Sequence, residues 1–343
     1  MLSMITPIKE VEIEDVAVLR PGTVYKLHGH AGDVIVVKKE AGNVNKTQLK
    51  HARRVMKTVD ANAGNVKPLN NAEQTELLKW ANFMISATAQ FANNAANYPA
   101  VTAATEIRQL FAHGVGHSLW YKMPLSDLTP ADKILDARMG VGGAVDKSGT
   151  VALTRGLKND GGLEQLGRII AADMFINNTD RFCPPGGQNI GSQRQYGAKN
   201  LKFETLCNIG NLFMIGKTTN FDISVSGHDF FDPASGYRDF DSTLAVLAQN
   251  YNEDWLGESL CSGRSRRAFA KAIIRDLETL LCPNRKRVSL RTKLGMNSFR
   301  RIEAGFLDGM QRIVTQTNLR YAGRNDQPVG LAERVQKFAA ALA

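Results

Sequence analysis

The sequence predicts an α+β protein of two lobes, a small strand-rich lobe with added helices over residues 1–124 and a mainly helical lobe over residues 125–343. Apolar and polar residues alternate over Val11–Leu27, which is typical of half-buried strands. Beyond residue 240, apolar residues recur every three or four positions, which is typical of helices. A chain of 343 residues is long enough to bury two modest cores.

The first lobe is predicted to begin with three strands. The alternating segment breaks at Arg20–Gly22, which favours a tight turn between two strands. Asp33–Glu40 (DVIVVKKE) is a β-branched run that ends in two lysines and predicts the third strand. Two helices are predicted over Lys46–Asp60 and Asn71–Asn93, and the short aromatic strand His117–Met123 is predicted to link the lobes.

Composition argues against several classes of protein. No run of about 18 apolar residues occurs, and the N-terminus lacks the basic-then-apolar order of a signal peptide. The spacing of the four cysteines suggests neither a zinc site nor a disulfide framework, so we expect reduced thiols. These features predict a soluble, cytoplasmic protein, and they leave open whether it is delivered into another cell.

The chain is strongly basic, with a formal net charge of +10 at pH 7. The basic residues crowd into Lys46–Lys57 and Arg264–Arg301. Such segments attract acidic proteins or anionic lipid, and the competing explanation is that each is a solvated helix face. We do not expect nucleic acid as a partner.

The segment Gly162–Asp180 predicts a buried helix that runs into a polar turn, because its apolar residues recur at helical spacing. Asp180 closes that turn. Further on, Asn211 directly precedes an apolar strand, and Asp229 stands at the end of another short strand. Phosphoryl transfer needs this order of groups, an acid that orients a hydroxyl and then two oxygen ligands for magnesium.

Further helices are predicted over Ser242–Gln249, Arg266–Leu281, Ser298–Thr317 and Leu331–Leu342.

The run Ala172–Arg181, with Asn211–Phe213 behind it, resembles the catalytic loop of atypical protein kinases. The match is nearest to the actin-fragmin kinase catalytic domain and more distant to phosphoinositide kinases and HipA-like kinases, and it covers residues 162–232. It implies a kinase-like fold and an ATP- and Mg²⁺-dependent serine/threonine kinase that acts on a protein hydroxyl. The Pro184–Leu206 insertion departs from ordinary kinases, which place about four residues between catalytic Asp and metal Asn. Asn208 therefore stays open beside Asn211 as the metal ligand.

The resemblance implies a role for each candidate residue of the second lobe. Asp180 would orient the acceptor hydroxyl, and Arg181 would orient Asp180 or brace the loop. Asn211 and Asp229 would hold Mg²⁺, since amide and carboxylate oxygens suit a hard cation. Asp222 and Asp232 compete for the Asp229 role, but only Asp229 has the position at a strand end.

The resemblance also implies a nucleotide site in the first lobe. Lys38, at the end of the third predicted strand, would reach the phosphates of ATP. The turn containing Gly22 would cover those phosphates, and the backbone at Met123 would contact the adenine ring. A kinase pairs its strand lysine with a helix glutamate, but Lys46–Asp60 contains none. Glu73 and Glu76 of the following helix are available, with a weak preference for Glu76, although both are more typical of a helix surface.

Three other functions compete with a protein kinase. A phosphoinositide kinase would use the basic segments to meet anionic lipid. A nucleotidyl transferase of the same fold would move AMP and not phosphate. A pseudokinase or basic binding module would use the fold only as a scaffold, and the missing helix glutamate and the stretched catalytic loop favour it.

Overall fold

The chain combines α-helices with antiparallel β-strands. The computed structural model describes residues 7–8, 12–20, 24–40, 46–60, 67–89, 99–112, 119–124, 128–131, 148–158, 161–179, 181–182, 188–189, 204–205, 212–215, 224–226, 240, 259–281, 294–295, 297–324 and 330–343. Contacts divide the chain into unit 1, Met1–Thr47 with Gly64–Ser126, and unit 2, Gln48–Ala63 with Asp127–Ala343.

The described strands are β1 (Ile13–Arg20), β2 (Val24–Gly29), β3 (Val34–Glu40), β4 (Lys67–Pro68), β5 (Leu119–Pro124), β6 (Leu128–Pro130), β7 (Gln188–Asn189), β8 (Glu204–Thr205), β9 (Phe213–Ile215) and β10 (Ser224–Ser226). The described helices are α1 (Lys46–Val59), α2 (Asn71–Ala89), α3 (Pro99–Ala112), α4 (Ser148–Lys158), α5 (Gly162–Ile176), α6 (Gly263–Leu281), α7 (Ser298–Tyr321) and α8 (Leu331–Leu342). Within the described helices, none has both the length and the apolar character needed to cross a membrane.

Unit 1 contains a five-stranded antiparallel sheet in the order β1-β2-β3-β5-β4. The predicted hairpin and third strand are present as β1, β2 and β3. Alternate residues of β2 and β3 are buried against α2 and α3 because side chains of a strand point to opposite faces in turn. The buried strand residues are Tyr25, Leu27, Ile35 and Val37, and the helices cover them with Leu77, Ala81, Ala103, Ala104, Ile107 and Phe111.

One buried ion pair crosses from this sheet to α2. Lys122 on β5 lies opposite Val37, on the face that the helices cover, and its ammonium donates to Glu73. Glu73 also accepts the backbone N–H of Ile8 at 3.2 Å and that of Asn70 at 3.1 Å, while Asn70 caps the helix in return at 2.9 Å. The expectation that Glu73 lies on the helix surface is wrong, because only 2% of it is exposed.

Unit 2 is organised around α5, which is buried along almost its whole length. It packs against α7 and against β10, which belongs to a three-stranded sheet in the order β10-β9-β6. α7 in turn contacts α6 and α8. The predicted helices that end at residues 281 and 342 are present as α6 and α8. Helix α7 extends four residues beyond its predicted end. The predicted helix Ser242–Gln249 lies outside the described residues.

Two elements differ from the expected organisation. Helix α1 was predicted in the first lobe, but from Gln48 on it groups with unit 2, since His51 contacts Tyr321 and the Val59 carbonyl accepts a hydrogen bond from Gln165. Helix α4 was not predicted at all. Its sequence, SGTVALTRGLK, contains β-branched residues and glycines that lower helix propensity, and tertiary burial of one face outweighs them.

Helices α5 and α7 meet through glycines. A Cβ atom built on Gly167 would lie 2.1 Å from the Ile302 carbonyl oxygen, and one on Gly305 would lie 1.9 Å from the Glu164 carbonyl oxygen. The two backbones therefore touch with no side chain between them. Beside this contact, Arg301 donates two hydrogen bonds to Glu164, at 2.6 Å and 2.7 Å.

Gly305→Ala should destabilise the protein by about 3 kcal/mol or more, because the new methyl group would force two buried backbones apart. Alanine favours a helix over glycine by only about 1 kcal/mol, so the clash decides the sign. The midpoint of urea unfolding measures the effect. Gly263→Ala is the matched control, since its Cβ would meet only the Arg266 guanidinium at 3.6 Å. Equal unfolding midpoints for the two variants would contradict the tight helix contact.

Candidate functional site

The candidate site begins where α5 ends. Asn177 closes the helix in the left-handed conformation, with φ of 56°, which asparagine tolerates better than most residues. The N–H groups of Asn177 and Asn178 then bond back to the carbonyls of Met174 and Asp173, at 3.3 Å and 2.8 Å. The predicted polar turn is therefore a compact reversal folded onto the last helical turn.

A buried ion pair fixes this reversal. The Arg181 guanidinium donates to both carboxylate oxygens of Asp173, and neither side chain is exposed to solvent. The side-chain amide of Asn178 donates to the same carboxylate at 2.9 Å. Thr179 and Phe182 are buried as well. A buried carboxylate held by charge-assisted hydrogen bonds makes a rigid joint between the helix and the loop.

The predicted catalytic residues of this loop have different outcomes. Arg181 is buried and its guanidinium contacts Asp173, so it ties the loop to α5. Asp180 lies outside the described residues, between Thr179 and Arg181. Sequence reasoning missed Asp173, although a signal existed, because this acid follows Leu166 and Ile170 on the apolar stripe of the helix.

The small sheet of unit 2 forms the next part of the candidate site. β9 pairs with β10 in antiparallel register, with Phe213 opposite Ser226. The chain therefore enters β9 and leaves β10 at the same end of the hairpin. The predicted metal ligands Asn211 and Asp229 precede and follow these strands, and both lie outside the described residues, as does Asn208.

The described residues provide no alternative metal site. Nowhere in the described ranges do three His, Cys, Asp or Glu side chains come together in a way that could hold a metal ion.

In unit 1, Lys38 lies on β3 opposite Val24 and Tyr121. Its strand neighbour Val37 faces α2 and α3, so Lys38 is directed to the other face of the sheet, where it is half-buried. Met123, the residue predicted beside the adenine ring, lies on β5 opposite Val36. Gly22 lies outside the described residues.

The two helix glutamates bind other lysines. Glu73 forms an ion pair with Lys122. Burial alone would raise the pKa of Glu73, but the hydrogen bonds from Lys122, Asn70 and Ile8 outweigh burial and lower this pKa. Glu76, the preferred candidate, pairs with Lys79 at 2.7 Å on the outside of α2. Neither of these ion pairs involves Lys38.

A histidine of unit 2 lies beside the last turn of α5. The ring centroid of His51 is 6.3 Å from those of Phe175 and Tyr321. Burial first, and then the positive charges of Arg334, Arg320 and Arg54, lower the pKa of His51 to about 4. Arg334 also donates to the Phe175 carbonyl at 2.8 Å, which places a cation at the negative end of the helix.

Asp173→Ala should destabilise the protein by about 3–5 kcal/mol, because the Arg181 guanidinium would stay buried without this carboxylate. Urea unfolding of the variant measures the loss. Asp308→Ala is the matched control, since Asp308 is partly exposed and binds Arg312 and Arg168 near the surface, where ion pairs contribute about 1 kcal/mol or less. A loss of similar size in both variants would show that the buried pair is not special.

His51 should make the protein less stable as pH falls from about 6.5 to about 4. The unfolded chain binds the proton at its ordinary pKa, whereas the folded chain resists it until lower pH, so protonation favours unfolding in this window. Unfolding midpoints of the parent and of His51→Gln at pH 7 and pH 4.5 test this. The variant should lose less stability than the parent, and parallel losses would contradict it.

Comparison with known proteins assigns no family to this chain. No family model, curated protein or solved structure matches it.

Proposed function

We propose that this chain is an ATP- and Mg²⁺-dependent phosphotransferase with a kinase-like fold, acting as an atypical serine/threonine protein kinase. The observation that carries the proposal is the order of elements in unit 2. The buried helix α5 ends in a loop whose sequence contains Asp180 and which the Asp173–Arg181 ion pair ties to the helix. The antiparallel strands β9 and β10 follow, and the start of β9 lies beside the end of β10. In the sequence, Asn211 precedes β9 and Asp229 follows β10.

The braced loop supports a catalytic role for Asp180. Phosphoryl transfer asks the protein mainly to position groups and to neutralise charge. Asp180 stands between two buried residues, Thr179 and Arg181, and Arg181 is tied to the helix through Asp173. Thr179 and Arg181 thus give fixed neighbours in the chain to the residue proposed to orient the acceptor hydroxyl.

The hairpin supports the assignment of the two metal ligands. Asn211 precedes β9 by two residues and Asp229 follows β10 by three. Fully extended, these segments span at most about 7 Å and about 11 Å from the two adjacent strand ends. Both can therefore contribute oxygen to one Mg²⁺ ion. Asn208 is farther from the strand, which favours Asn211. Bound Mg-ATP would supply the phosphoryl group, with the metal neutralising its oxygens.

The sheet of unit 1 supports a nucleotide role for Lys38. A kinase carries its phosphate-binding lysine on the third strand of its small lobe, and Lys38 lies on the third strand here. Its face of the sheet is the one that α2 and α3 do not cover. Gly22 and the backbone of Met123 complete the proposed nucleotide site.

One observation favours a second candidate, a pseudokinase or basic binding module. Glu73 and Glu76, the two glutamates of α2 that were candidates to pair with Lys38, bind Lys122 and Lys79. A kinase needs its strand lysine held by a glutamate for activity. A scaffold that binds partners without transferring phosphate has no such need.

The two acids should respond differently to substitution. Asp180→Ala should keep Mg-ATP affinity within a few-fold but lose transfer by at least a hundredfold, because Asp180 acts on the acceptor in the transition state. Asp229→Ala should lose transfer and Mg-dependent ATP binding together, and Lys38→Ala should lose part of each. Calorimetric titration of ATP and a γ-phosphate transfer assay measure both quantities. Full transfer by Asp180→Ala would refute its assignment.

ATP labelled separately at the γ and α positions distinguishes the competing functions. Transfer from the γ position alone supports a kinase, and a protein or a phosphoinositide as acceptor separates the two kinase types. Transfer from the α position alone supports an AMP transferase. Transfer from neither, with binding retained, supports the binding module.

A further inference from the structure

A basic groove lies in unit 2 between helices α1 and α7, and its volume is about 550 Å³. α1 contributes Arg53, Arg54 and Lys57 to its lining, and α7 contributes Arg312 and Arg320. The other described residues that line it are threonines and glutamines, and none of these is acidic. The groove therefore combines several positive charges with neutral hydrogen-bonding groups in one concave surface.

The cations are spaced along both helices in a way that suits several anionic groups at once. Arg312 and Arg320 are eight residues apart on α7, which corresponds to about 12 Å along the helix. Arg53 and Lys57 are one turn apart on α1, at about 6 Å. A ligand with a single negative charge could meet only part of this array.

The cations of the groove differ in their carboxylate partners. Arg312 binds Asp308 at 2.9 Å, one turn away on α7. Over the described ranges, neither Arg54 nor Arg320 forms an ion pair with a carboxylate. Burial and then the charge of Arg54 lower the pKa of Arg53, and Arg320 and Arg54 also act on His51. Arg53 and Arg54 thus lie close enough to repel each other, and a bound anion would relieve this repulsion.

We propose that the groove binds a compact small molecule that carries several phosphate groups. Arginine recognises phosphate through its planar fork of donors, and four of the five cations are arginines. The volume falls within the range of small-molecule sites, about 300–1,000 Å³. Every described residue that lines the groove belongs to unit 2, whereas Lys38 of the proposed nucleotide site belongs to unit 1.

Calorimetric titration with tripolyphosphate and with inositol hexakisphosphate, in EDTA, tests the proposal on the full chain. EDTA removes the metal that the proposed nucleotide site needs, so binding there does not interfere. The test variant is Arg54→Gln with Arg320→Gln. The matched control is Arg108→Gln with Arg300→Gln, which removes the same charge from exposed positions on α3 and α7.

At least one probe should bind the parent, and the Arg54/Arg320 variant should lose affinity tenfold or more, while the control stays within about twofold. Lys38→Ala should bind the probe like the parent. Affinity should also fall steeply with salt, since screening shortens from about 10 Å at 0.1 M to about 3 Å at 1 M. Equal affinity in the test and control variants, or no binding of either probe, would overturn the proposal.

Two further ligands identify the source of the phosphates. One is a bisphosphorylated inositol lipid in vesicles, and the other is the free inositol bisphosphate. Measuring the affinity of the protein for each compares the membrane headgroup with the free compound. Binding of either, lost in the Arg54/Arg320 variant, supports the groove, and the tighter one names the source. Tighter binding of a single-stranded oligonucleotide than of every compact probe, lost in the same variant, would overturn the small-molecule assignment.

Discussion

The direct contact between the backbones of α5 and α7 is the constraint on which unit 2 depends. Gly167 and Gly305 leave no room for a side chain at this crossing, and Gly309 extends the contact along α7. Because α5 is buried on nearly all sides, its position determines where its C-terminal loop begins. α7 also contributes Arg312 and Arg320 to the basic groove. The candidate catalytic loop follows α5 and the groove uses α7, so both depend on the helix that this contact holds in place.

Buried charges serve geometry in both units. Asp173 and Arg181 tie the loop to the helix that precedes it, and Glu73 with Lys122 ties α2 to the sheet of unit 1 while also holding the backbone at Ile8. Such pairs add little net stability, because desolvation offsets much of their attraction, but losing one partner is costly. They therefore specify one arrangement. In unit 1 this arrangement engages Glu73 with Lys122, so any partner of Lys38 has to come from elsewhere.

The distribution of positive charge illustrates how tertiary structure redefines a sequence pattern. The two basic segments Lys46–Lys57 and Arg264–Arg301 were both candidates for a binding surface. The groove uses the first of them together with Arg312 and Arg320, which lie outside the second. Arg301 of the second segment instead binds Glu164 between two packed helices. Charge density along the chain therefore identified the α1 residues of the groove but not Arg312 and Arg320.

The sequence by itself determined the local structure, including the hairpin and third strand of unit 1, helices α6 and α8, and the buried helix that ends in a polar loop. Hydrophobic periodicity encodes which face of an element is buried, so these could be predicted. Only the tertiary structure decided which elements meet, since periodicity carries no information about the partner. It grouped α1 with unit 2, paired Glu73 with Lys122, and placed Arg54 and Arg320 around one groove although they lie far apart in the chain.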